Sequence, residues 1–119
     1  MVSELKYEEV RSLTRTELLS HLQSSDPKIV ANALYSATKY EQDLAWVQRQ
    51  CLEKLNSDEI LVRWAAATCL GDLAFWRRFQ GNIDLVLSAL KLAEHDPQIA
   101  DSARFSLSLV NQAAARDTP

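Results

Sequence analysis

Two glycines in 119 residues, with three prolines, two cysteines, two histidines and one methionine, leave several chemistries without their materials. Gly71 and Gly81 stand alone, so neither can belong to a glycine-rich loop cradling phosphate against a helix N-terminus. His21 and His95 have no histidine one helical turn away, and Cys51 and Cys69 lack close ligand spacing; no metal or other cofactor is expected. Each cysteine sits in an apolar helical pattern, which predicts buried free thiols in a reducing compartment, and no general base is indicated that would make either a nucleophile. No apolar run approaches the roughly 18 residues of a membrane helix, and the opening M-V-S-E-L-K-Y-E-E-V is too charged for a secretion signal. A cytoplasmic, non-enzymatic chain is the expectation. A basic surplus is missing too: thirteen Lys and Arg stand against sixteen Asp and Glu, for a net charge of −3. That disfavours direct binding of nucleic acid and leaves room for a basic protein partner.

What the chain has in quantity is Ala, Leu, Glu, Gln and Arg, an all-α composition, and its length suits one domain over 1–119. Three segments align on an aspartate: S-D-P-K-I-V-A-N-A-L-Y-S-A from Ser25, S-D-E-I-L-V-R-W-A-A-A-T-C-L-G from Ser57 and H-D-P-Q-I-A-D-S-A-R-F-S-L from His95. Asp26, Asp58 and Asp96 are followed three residues on by Ile29, Leu61 and Ile99, and four on by Val30, Val62 and Ala100. Seven on, all three copies carry alanine (Ala33, Ala65, Ala103), and eleven on stand Ala37, Cys69 and Leu107. These offsets trace one face of a helix, with the aspartate as its N-cap. A second helix precedes each aspartate. The first opens with capping-box spacing at Thr14 and Glu17, the second carries Leu44, Val47, Cys51 and Leu55 on one stripe, and the third starts from Asn82. Repeated helix pairs of this kind predict a stack.

The stretch D-E-I-L-V-R-W-A-A-A-T-C-L-G, Asp58 to Gly71, resembles the second helix of a HEAT repeat: aspartate in the turn, valine-arginine, alanines, then leucine-glycine. The outer copies depart from that pattern. Ala31 and Asp101 replace the arginine and no glycine closes either helix, so the arginine ladder of long HEAT arrays is mostly absent. The resemblance implies a short right-handed α-α superhelical stack of about three pairs, at 14–40, 41–75 and 82–111, with an added N-terminal helix from Ser3 to Leu13 and a frayed tail over 113–119.

In such a stack the second helices line an inner face. With offsets 3, 4, 7 and 11 buried, offsets 6 and 9 point away from the core, which sets out Trp64, Tyr35 and Phe105 as a diagonal aromatic strip edged by Arg63, Lys39, Asp101 and Arg104. Glu41, Asp43, Asp72 and Asp101 are the acids expected to pair with basic groups of a partner. The run A-F-W-R-R-F-Q-G, Ala74 to Gly81, admits two readings: a joint with Phe75 and Phe79 packed under the turn and both arginines in water, or a contact site carried by Trp76, Arg77 and Arg78. In size, architecture and mild acidity the chain resembles immunity proteins of bacterial toxin systems, contact-dependent growth inhibition among them. That resemblance implies a protein partner, a basic nuclease toxin domain, covered at or near its active site, and a monomer outside the complex. A HEAT-like adaptor or assembly factor is the alternative; a groove-acting lyase or DNA glycosylase would need groups that the sequence does not supply.

Overall fold

The computed structural model describes residues 10–117, which fold into six α-helices: α1 (Arg15–Leu22), α2 (Pro27–Tyr40), α3 (Leu44–Lys54), α4 (Ile60–Phe75), α5 (Ile83–Ala93) and α6 (Ala100–Asp117). Side-chain caps start most of them. At α1 the capping box is complete, Thr14 Oγ1 accepting from the Glu17 amide at 3.1 Å and Glu17 Oε1 from the Thr14 amide at 3.0 Å. Asp26 caps α2 ahead of Pro27, Asp43 caps α3, and Asn82 caps α5. Asp58 and Asp96 do not cap as the repeat predicts. Glu59 holds the cap position of α4 without a side-chain bond, and the Ser57 hydroxyl accepts its amide instead. Asp96 turns the chain through the Gln98 amide at 3.0 Å, four residues ahead of α6.

The helices form three consecutive pairs in two layers. Helices α2, α4 and α6 lie side by side with α4 in the middle, while α3 backs α4 and α2, and α5 backs α6. Flanked on three sides, α4 is buried nearly all round, from Val62 through Ala74. Small residues set its distance to α6. A Cβ added at Gly71 would come within 2.8 Å of the Ser106 Cα, and the Ser106 hydroxyl donates to the Ala67 carbonyl at 2.6 Å. The leucine-glycine ending of the central repeat is thus the footprint of α6 lying against it.

Three expectations are corrected by this packing. The inner helices are rolled so that offset 3 leaves the core in the first two copies: Ile29 and Leu61 are 39% and 42% exposed, while Ile99 is buried. Ala67 and Ser102, expected to face outward, are covered where α4 meets α6, Ser102 Oγ lying 2.9 Å from Thr68 Oγ1 and donating to the Trp64 carbonyl. The tail does not fray at Ala113. That residue is fully buried, and α6 continues to Asp117 because Arg116 lies over the Phe75 ring and donates to the Phe75 carbonyl at 3.0 Å. Most of the expected N-terminal helix lies outside the described residues; the part that is described, from Val10 to Thr14, is not helical, and the Arg11 carbonyl accepts the Ser36 hydroxyl.

Candidate protein-binding surface

The ten residues singled out in the sequence separate into those free to meet a partner and those already engaged. Trp64 on α4 and Phe105 on α6 are exposed, at 39% and 65%. Their helices are joined beside them, since the Trp64 carbonyl accepts Ser102 Oγ three residues before Phe105. Tyr35 on α2 is half-buried against the core, and burial, with Cys69 and Asp72 nearby, pushes its phenol well above the usual range. It supports the face more than it projects from it. Ile29 and Leu61 join Trp64 and Phe105 as exposed apolar groups of the inner helices. Periodicity had assigned both to the core. The available signal was the run Ile60-Leu61-Val62: three consecutive apolar residues cannot all fall on one helical face.

The acids fare differently. Asp72 is 8% exposed on α4, which removes it from any contact surface. Glu41 and Asp43 close the α2–α3 turn, and Arg15 reaches both, at 2.9 and 3.5 Å, while stacking over the Trp46 ring. The Arg15 hydrogen bond holds the Glu41 carboxyl below the ordinary range. Asp101 remains in solvent with Arg104 at 3.0 Å. Arg63, expected on the edge of the strip, is drawn inward: it donates to the Ser57 carbonyl at 2.9 Å, to Asp96 at 3.1 Å and to the Gln98 side chain at 2.6 Å. The valine-arginine pair of the repeat therefore ties α4 to the turn before α6.

At Ala74–Gly81 the run is a joint in which one arginine turns inward and the other outward. Arg77 donates to the carbonyls of Thr38 and Glu41 at 2.6 and 3.0 Å, binding the end of α4 to the end of α2, so it does not face water. The buried Gln48 clasps the same loop from α3, donating to the Gln80 carbonyl and accepting the Asn82 amide. Trp76 and Arg78 are the outward members, Trp76 at 70% exposure edge-on to Phe75, and Arg78 with a left-handed φ of 55° and Asp117 at 3.5 Å. Cys51 and Cys69 are buried thiols outside any disulfide, as expected, and the Cys51 thiol is pushed up by its hydrogen bond with Cys69 and by burial. Among the described residues no group of three or more His, Cys, Asp or Glu is placed to hold a metal ion, and no helix is long and apolar enough to cross a membrane.

Comparison with known proteins follows the same division. Residues 47–76, from α3 through the end of α4, match the family model described as HEAT repeat. No curated protein matches the chain by sequence. Among solved structures, a chain in the crystal structure of a CDI complex from Cupriavidus taiwanensis LMG 19424 is similar to it with a TM-score of 0.78 and 24% identity, over 90% of this chain and 96% of that one. The whole stack, not the central repeat alone, is the shared fold.

Proposed function

We propose that the chain is a non-enzymatic binding module that neutralises a bacterial toxin, an immunity protein of a contact-dependent growth inhibition system. The observation that carries the reading is the exposure of four large apolar side chains on the inner helices, Ile29, Leu61, Trp64 and Phe105. Large apolar side chains held on rigid helices lose little conformational freedom on docking and supply most of the affinity at an interface. The similarity to a chain of a CDI complex supports the choice of partner, with CDI read as contact-dependent growth inhibition.

The mechanism is exclusion. Trp64 and Phe105 enter apolar recesses of the toxin, and the body of the stack covers its active site or an adjoining surface. The acids have a smaller part than the sequence implied, because Glu41 and Asp43 answer Arg15 and Asp72 is buried. A basic nuclease still suits the net charge of −3, which speeds capture of a cationic partner.

Affinity purification of the tagged chain with its encoded neighbours expressed tests the proposal. Recovery of a stoichiometric toxin domain whose activity falls in the complex is the expected result. Recovery of a housekeeping assembly instead would make the chain an adaptor.

A further inference from the structure

The outer layer is split. Helix α5 packs on α6 and only lightly on α4, and α3 has at most a glancing contact with α5. Between them lies an open groove of about 500 Å³, within the size range of ligand sites, with apolar walls made by Leu52, Leu55, Leu85, Ala89, Leu92 and Ile99. Leu85 and Leu92, seven residues apart on one face of α5, are 49% and 74% exposed, so this face has no cover in the chain as described.

The walls restrict what can fill the groove. They are helices whose backbone groups are bonded within themselves, and the polar side chains of the lining are only Asn56, Ser88 and Asp96. An extended segment laid there would leave the amides and carbonyls it turns toward the walls unmet. A helix brings its backbone bonds with it and needs only an apolar stripe at i, i+3, i+4 and i+7. Charge then gives the occupant a direction. Along the flanks, exposed Arg49 and Glu53 lie one turn apart on α3, and Asp84 and Lys91 two turns apart on α5, so each flank is balanced. At the end closed by the α3–α4 and α5–α6 turns the balance is acidic. Asp58 and Glu59 are exposed there without an ion pair among the described residues, and Asp96 lines the groove, with Arg63 already committed to it and to the Ser57 carbonyl.

We infer that the α3–α5 groove is a second docking site, on the outer layer and independent of the inner layer, for an amphipathic helix of a protein partner carrying lysine or arginine at the end nearest the turns. The probe is a displayed library of helix-biased random 16-residue peptides panned against the full chain. Enriched peptides should share an apolar i, i+3, i+4, i+7 stripe with basic residues gathered at one end, and added salt should weaken them. Leu92→Lys and Leu85→Lys, both at exposed positions that leave the core intact, should each reduce their affinity tenfold or more, with unchanged helical content. No enrichment, enrichment of acidic or unpatterned peptides, or binding unmoved by both variants would overturn the inference. So would a concentration-dependent dimer abolished by the same two substitutions, which would make a second copy the occupant.

Discussion

At the scale of single residues, exposure separates binding from folding more sharply than residue type does. On the proposed function Trp64 and Phe105 are the anchors, so Trp64→Ala and Phe105→Ala should each weaken toxin binding by about 2 kcal/mol or more. Thermal unfolding of both variants should stay close to the wild type; a large fall in Tm would show that the rings belong to the fold. Neighbouring arginines in one loop should behave in opposite ways. Arg77→Ala removes two charge-assisted bonds to carbonyls and should cost about 1.5–3 kcal/mol in urea unfolding. Arg78→Gly relieves a left-handed backbone and should be neutral or stabilising by up to about 1 kcal/mol. The sequence made Trp64 and Phe105 legible because they break the apolar grammar of the repeat. It could not separate Arg77 from Arg78: which one turns inward is decided by where the end of α2 lies, a contact made across 36 or more residues.

At the scale of elements, caps and close approaches decide how the helices meet. Gly71 marks a close approach of α4 to α6, and a methyl group there meets the backbone of Ser106. Gly71→Ala should therefore destabilise by about 1–3 kcal/mol despite alanine's better helix propensity, as chemical denaturation will show. The clasp of Arg15 on Glu41 links the start of α1 to the α2–α3 turn. Because folding lowers the Glu41 pKa, its contribution is complete above the ordinary value of 4.5 and is lost as pH falls through the lower folded value. The stability difference between wild type and Glu41→Gln should accordingly shrink as urea titrations are carried below pH 4.5. A difference constant across that range would assign the clasp to packing. The six helices and their pairing were legible in the three aspartate-led copies, but the roll of each inner helix was not. Offsets 3, 4, 7 and 11 describe a helix with one neighbour, whereas α4 has three, and so Leu61 was left outside and Ala67 taken in.

At the scale of the whole molecule, two layers present two different surfaces. The inner layer is continuous and exposes Ile29, Leu61, Trp64 and Phe105; the outer layer opens between α3 and α5. Partner class was the part least legible in the sequence, since acids counted along a chain say nothing about which of them a folded structure has already paired. Glu41, Asp43 and Asp72 read as a contact surface until Arg15 and the burial of α4 claimed them. The net charge survives this correction because it acts at a distance, on encounter more than on the final contact.

The most direct test of the inner layer as a toxin-binding face is the affinity of the encoded toxin domain for the wild-type chain and for the Trp64→Ala/Phe105→Ala double variant, titrated calorimetrically at one salt concentration. Tight binding by the wild type and a loss of at least a hundredfold in a folded double variant is the predicted result. Equal affinities would move the contact off the inner layer, and no binding by the wild type would contradict the immunity function itself.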